Sequence, residues 1–398
     1  MRTQLALGPL LAVMIAGCGT IAAGDLSPAG DPAVEPANDL LPTPDGGTGD
    51  GGAAGGGDRV VGQPPAESPA PAAPSRRLVA YWASWTREVM PVASIPWGSI
   101  THLAHAFVLP SSTGGLRNVS TYVDPALIAA AHANGVKVVA SVGGWGANFD
   151  ANVDATARAK TVAAMASLCR THGYDGIDLD WEYPTGATAK AWASMVRELR
   201  DALDAIDPAL SLSAAVSASP THLGVLPDAA LNAMSWIGVM TYDFAGSWSS
   251  SSGHNSPLNP SKGGSSGSVR ESIDYLSKTR AFAPDKLLVG LPFYGYDFGA
   301  TSLGGTPVAP CNIRDYRDLA SRIDASGWKR TFDDVAQAPY LTRSSSPGFT
   351  SYDDATSIGA KCAFTRERGL GGAIVWHLAG DLLADGKAPL LVAAQGCR

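Results

Sequence analysis

Gly173-Tyr174-Asp175-Gly176-Ile177-Asp178-Leu179-Asp180-Trp181-Glu182-Tyr183-Pro184 sets three acids, Asp178, Asp180 and Glu182, on alternate positions of a predicted strand. Side chains along a strand alternate between faces, so these carboxylates share one side while Ile177, Leu179 and Trp181 share the other. At about 3.3 Å of rise per residue, successive acids stand about 6 to 7 Å apart, near enough for each ionised group to disfavour ionisation of the next. At least one proton is expected to stay on the set near neutral pH. An exposed edge strand would tolerate such acids. The helical patterns on both sides point instead to a buried parallel strand of an α/β fold, where an unpaired charge is very costly. Acids retained there are candidates for chemistry.

From Leu78 onward, short apolar runs alternate with helical patterns. The predicted strands are Leu78 to Trp82, His102 to Val108, Lys137 to Val142, Gly176 to Glu182, Ser211 to Ser217, Trp236 to Phe244, Leu287 to Tyr294 and Gly372 to Leu378. Between them, Asp124-Pro125 supplies a helix cap and first residue and Gly135 a stop, and a second helix closes at Gly173. Trp192, Met195, Val196, Leu199, Leu203 and Ile206 keep helical spacing until Asp207-Pro208. Eight strands with helical crossovers predict an α/β fold, a (β/α)8 TIM barrel, whose reactive residues gather at the C-terminal ends of the strands. Glu182 stands at such an end. Between strands seven and eight, residues 296–350 exceed one crossover helix, and their scattered aromatics Tyr316, Trp328, Phe332 and Tyr340 suggest a small α+β insertion rather than a disordered loop.

A formal net charge of −7, with no cluster of Lys and Arg, leaves no electrostatic footprint for nucleic acid, so a neutral or cationic ligand fits better. Arg2, the apolar run from Leu5 to Ile15 and the sequence Ile15-Ala16-Gly17-Cys18 read as a secretory signal over residues 1–18, too short for a membrane span. Its end resembles a bacterial lipobox, which would make Cys18 a lipidated residue and the protein a secreted, cell-envelope lipoprotein held to a membrane by that anchor. An ordinary cleaved signal is the alternative. Residues 19–76, rich in Gly, Pro and Ala, read as a disordered tether before a folded domain over 77–398. In an oxidising compartment Cys169, Cys311, Cys362 and Cys397 have three possible pairings. None has metal-ligand spacing and the histidines show no ligand pairing, so neither metal nor cofactor is expected.

Glu182, at its strand's end behind two other acids, is the candidate general acid, its pKa raised by burial and by like charge, with Asp180 as its partner. Ordinary glycosidases need a second carboxylate across the sugar, and nothing in the sequence nominates one on an opposite strand. Either it is hidden or the substrate supplies the nucleophile.

Asp175-Gly176-Ile177-Asp178-Leu179-Asp180-Trp181-Glu182 resembles the signature of glycoside hydrolase family 18, the chitinases. Ser141-Val142-Gly143-Gly144-Trp145 is similar to that family's third-strand motif, and Met240-Thr241-Tyr242-Asp243-Phe244 to its sixth. Gly290-Leu291-Pro292-Phe293-Tyr294-Gly295 resembles the seventh and Gly371-Gly372-Ala373-Ile374-Val375-Trp376 the eighth. The resemblance implies substrate assistance, in which the N-acetyl oxygen attacks its own anomeric carbon to form an oxazolinium ion that water opens with retention. Glu182 would protonate the leaving oxygen and then activate water. Asp180 would bind the acetamide N–H and Asp178 would share a proton with it, the set titrating as a coupled system. Tyr242 would hydrogen-bond the acetamide oxygen and Asp243 would assist at the same sugar. Trp376 would form the floor, with Tyr81, Phe107, Trp145, Met240 and Tyr183 also lining the substrate site. Trp85, Trp145 and Trp248 lie just beyond strands, where rim stacking and structural packing are both open; Trp97, Trp192 and Trp236 read as core, and Tyr352 and Asp353 as the structural start of the last helix.

Two positions depart from the family pattern. Many relatives have Arg where this chain has Tyr296, and many have Glu where it has His377, which bears on contacts to flanking sugars. The implied activity is endo-hydrolysis of β-1,4 linkages in chitin or chitooligosaccharides by a monomer. An endo-β-N-acetylglucosaminidase of N-glycans or peptidoglycan is the close alternative, one that generally lacks the insertion. A non-catalytic chitin-binding lectin is another, though such proteins have usually lost the residue that Glu182 supplies here.

Overall fold

The computed structural model describes residues 76–261, 264–343 and 347–398. The signal, the Cys18 site and the tether up to residue 75 lie outside the described residues.

Eight parallel strands form a closed barrel: Arg77–Ala83, His102–Pro110, Lys137–Gly143, Gly176–Asp180, Ser211–Ser217, Trp236–Met240, Leu287–Pro292 and Gly372–Trp376, the last pairing back onto the first. The alternation of side chains along these strands divides the apolar residues into two cores. Leu78, Ala80, Val138, Ala140, Ile177, Leu179, Ile237 and Val239 face outward under the helices. Val79, Tyr81, Ala104, Val139, Ala215, Leu288 and Ile374 fill the barrel. Trp192 and Trp236 are buried as expected, and Trp97 packs partly buried against the outer core.

The helices begin and end where their capping residues predict. Asp124 accepts from the amides of Ala126 and Leu127 at the head of the helix Pro125–Ala133. Gly173, in the left-handed region at φ 79°, ends the helix Ala155–His172. After the acidic strand, the helix Ala189–Asp204 buries Trp192, Met195, Val196, Leu199 and Leu203. Asp353 and Asp354 do structural work: Asp354 caps the helix Ala355–Glu367, and Asp353 accepts a hydrogen bond from the wholly buried Lys361 ammonium at 2.5 Å.

Four strands are shorter than the apolar pattern suggests, the seventh ending at Pro292 and the eighth at Trp376. The fourth ends at Asp180, so Glu182 sits on the turn beyond it, because its neighbour leaves: Gly143 is the last residue paired with Asp180, and the chain then bends away at Gly143 and Gly144 with φ of 124° and 89°. A Cβ on Gly143 would lie 2.0 Å from the Asp180 carbonyl oxygen, so only glycine permits that approach. The sixth strand ends at Met240 rather than Phe244, and Asp243 takes the left-handed conformation at φ 61°.

Between the seventh and eighth barrel strands stands a five-stranded antiparallel sheet, in the order Asn312–Asp315, Tyr294–Phe298, Phe349–Ser351, Ala338–Arg343, Trp328–Asp333, with the short helix Tyr316–Leu319 beside it. It begins at Tyr294, two residues before the predicted insertion, because Tyr294 already pairs with Asp315. Of the three cysteine pairings left open by the sequence, the one bond formed among the described residues is Cys362–Cys397; Cys169 and Cys311 are free thiols.

Candidate active site

The carboxyl-terminal ends of the barrel strands converge on Asp178. Strand register places Ser141 beside it on the third strand and Ser213 beside it on the fifth. Ser141 Oγ donates to Asp178 Oδ2 at 2.8 Å and Ser213 Oγ to Oδ1 at 2.7 Å. Tyr81, from the first strand, donates its hydroxyl to Oδ2 at 2.9 Å. Burial raises the Asp178 pKa, and the three hydroxyl donors oppose that rise. Asp180, also buried, has no such support: its Oδ1 lacks any hydrogen-bond partner. Desolvation first, then the charges of Glu182 and Asp178, hold its pKa well above the ordinary carboxylate range. This asymmetry favours the charge on Asp178 and the proton on Asp180. The hydrogen bonds of Asp178 thus run to Tyr81, Ser141 and Ser213 rather than to Asp180, in place of the shared proton expected from the resemblance.

Glu182 is half-buried on the turn at the mouth, where desolvation lifts its pKa to about 7; hydrogen bonding by Tyr183 opposes the rise and the Asp243 charge adds to it. A carboxyl that titrates there can hold a proton for a leaving group and take one back from water near neutral pH. Tyr242 is buried at the end of the sixth strand, edge-on to Tyr294 at 5.9 Å, and burial together with nearby carboxylates keeps its phenol protonated. Asp243 faces open space at the mouth. Desolvation by the surrounding protein raises its pKa, and Tyr294 and Tyr296 donate hydrogen bonds that oppose the rise.

Residues 77–381 match the model of glycosyl hydrolases family 18. The chain belongs to that family. Over 284 residues it is 34% identical to Chitinase A1 of Niallia circulans, an alignment covering 62% of this chain and 41% of that one. The chain therefore spans about two fifths of that relative's length. Endochitinase 1 of Metarhizium robertsii is 28% identical over 347 residues, covering 75% of this chain and 80% of that one. Among solved structures, the catalytic domain 2 of Ostrinia furnacalis group II chitinase superposes with a TM-score of 0.73 at 27% identity, covering 80% of this chain and 95% of that one.

Around the family's acid cluster the aromatics fall into distinct positions. Phe107 stacks on Trp376 at 5.5 Å, and Trp85 leans on both. On another side Tyr183 lies between Trp145, at 6.4 Å, and His222, stacked at 4.6 Å. Trp145, Trp248 and Trp85 are 81%, 62% and 57% exposed, so none of the three belongs to the core. Tyr81 and Met240 lie deep: Tyr81 is buried, donates its hydroxyl to Asp178 and stands edge-on to Trp376 at 5.6 Å, and Met240 is buried inside the barrel in the same cluster as Tyr242.

The sequence reading missed Ser213, Asn255 and the hydroxyls of Tyr294 and Tyr296 as parts of the site. Ser213 was detectable in principle, as an inward-facing polar residue on an apolar strand. No local pattern marks Asn255, which sits in the long connection after the sixth strand and binds the Asp243 amide at 2.8 Å. Among the described residues no group of three or more His, Cys, Asp or Glu side chains is arranged to hold a metal ion.

Proposed function

We propose that this protein is a chitinase that cleaves β-1,4 bonds between N-acetylglucosamine units, with retention and from within the chain. The observation that carries the reading is the buried Asp180 Oδ1 without a partner, a few ångströms of strand away from a carboxyl poised near pH 7. A buried acceptor left unmade costs about 1–3 kcal/mol, and an acetamide N–H is the donor that would relieve it once a sugar is bound. The acetamide oxygen, oriented by Asp180 and by the Tyr242 hydroxyl, attacks its own anomeric carbon while Glu182 gives its proton to the leaving oxygen. Water, deprotonated by the same Glu182, then opens the oxazolinium ion. Asp178, anchored by three hydroxyls, holds negative charge beneath the developing cation. The exposed indoles and the antiparallel lobe beside the mouth suit an extended polymer rather than a single sugar.

The test is product analysis on N-acetylated and fully deacetylated oligosaccharides with anomers resolved by proton NMR. The β-anomer as first product from acetylated chains, very slow cleavage of glucosamine-only chains and inhibition by a thiazoline mimic of the oxazolinium are expected. Rapid cleavage of glucosamine-only chains would overturn the assignment.

We also propose export and lipid attachment at Cys18, from the residues that precede it. Cys18→Ser should move the protein from the membrane fraction to the soluble one, and a chain beginning at Arg76 should keep its kinetics on soluble oligosaccharides.

A further inference from the structure

Asp243 is held from outside the barrel. Its amide donates to Asn255 Oδ1 at 2.8 Å. Asn255 is wholly buried; its own amide donates to Ser351 Oγ at 2.7 Å and its Nδ2 to the Tyr294 carbonyl at 3.4 Å, both in the antiparallel lobe. The carboxylate receives two phenols on a single oxygen, Tyr294 at 2.5 Å and Tyr296 at 2.9 Å to Oδ1. These tyrosines stand at alternate positions of the lobe strand Tyr294–Phe298 and therefore point the same way. No ion pair among the described residues includes Asp243.

We propose that Tyr296 and Asn255 are positioning residues through which the lobe holds Asp243 as an anion with no basic partner, aimed into the mouth beside Glu182. This rests on the reading of Glu182 as the acid. Two neutral phenols fix the direction of the carboxylate without cancelling its charge, whereas a guanidinium would cancel it. The uncancelled charge opposes a second one on Glu182 and so helps retain the catalytic proton. The other groups that interact with Glu182 work the same way or are neutral: Asp180 from the strand that precedes it, Tyr183 beside it and Tyr242 from the end of the sixth strand. The lobe is then part of the catalytic electrostatics as well as a wall.

The experiment compares wild type, Tyr296→Phe, Tyr296→Arg and Asn255→Ala in the full chain. Tyr296→Phe removes one neutral donor and leaves the charge, so kcat should fall roughly 3- to 10-fold with the alkaline limb of kcat/KM in place. Asn255→Ala should lower kcat similarly while KM changes less. Tyr296→Arg should move the alkaline limb down by roughly 0.5 to 1 pH unit, a shift that a merely structural residue would not produce. Tyr296→Lys serves as a second cation should the arginine variant fail to fold. Carbon-13 NMR of labelled aspartate carboxyls, with the Asp243 signal assigned by its loss in Asp243→Asn, supplies a readout independent of turnover. That signal should titrate at lower pH in Tyr296→Arg than in wild type. An unmoved limb in an active cationic variant, or an unmoved Asp243 titration, overturns the inference. A wild type that hydrolyses no N-acetylated oligosaccharide defeats the chitinase reading instead, and the NMR titration still decides this one.

Discussion

Asp178 and Asp180 stand two residues apart on the same strand face, yet Asp178 accepts hydroxyls from Tyr81, Ser141 and Ser213 while Asp180 Oδ1 accepts none. Strand register makes the difference: Ser141 and Ser213 are level with Asp178, whereas the residue paired with Asp180 on the third strand is Gly143, which has no side chain to donate. One acid is built to carry charge at rest, and the other is left open for a donor that arrives with the substrate.

Ser213→Ala should therefore act through Asp178. Losing a hydrogen bond to a charged group costs about 1.5–3 kcal/mol, measurable by urea unfolding near neutral pH. The bond favours the ionised carboxylate, so the deficit should shrink as acid protonates Asp178. A deficit constant with pH would show that Asp178 is already neutral.

Glu182→Gln should keep the fold and lower turnover about 100- to 10,000-fold, toward the upper end because one group serves both proton transfers. In wild type, kcat/KM should decline above about pH 7 as Glu182 loses its proton. Stability carries the same signature. The folded pKa lies above the unfolded one, so the wild type loses stability as pH rises from the ordinary glutamate range to about 7, and the loss is complete above that. The glutamine variant escapes it, so its melting temperature relative to wild type should be higher at pH 8 than at pH 4.

Asp180→Asn and Tyr242→Phe both act on one acetamide, and their losses in kcat/KM should be non-additive in a double-mutant cycle. A double variant whose loss equals the sum of the single losses in free energy would assign them separate roles.

The Cys362–Cys397 bond closes a separation of 35 residues and ties the chain end to the helix Ala355–Glu367, away from the acids. In the loop-entropy model such a closure is worth about 4 kcal/mol, so Cys397→Ser should lower unfolding stability by up to that amount. Turnover measured well below the melting temperature should be unchanged.

The positions of the eight barrel strands, the two faces of the acidic strand, the helix caps and the lobe were legible from residues 77–398, because apolar periodicity and capping are properties of near neighbours in the chain. Asp178, Asp180 and Glu182 were legible for the same reason. What only the tertiary structure decided depends on residues distant in sequence. The fourth strand stops short of Glu182 because the third departs at Gly143 and Gly144. Tyr81 donates to Asp178 because closing the barrel brings the side chains of the first and fourth strands together in its interior. Asp243 is held by Asn255, Tyr294 and Tyr296, which reach it from a loop and a lobe that fold back over the barrel mouth. Which two cysteines meet was undetermined for the same reason. Composition sets which groups are available to carry charge; register and packing set which of them find partners, and therefore where the protons reside.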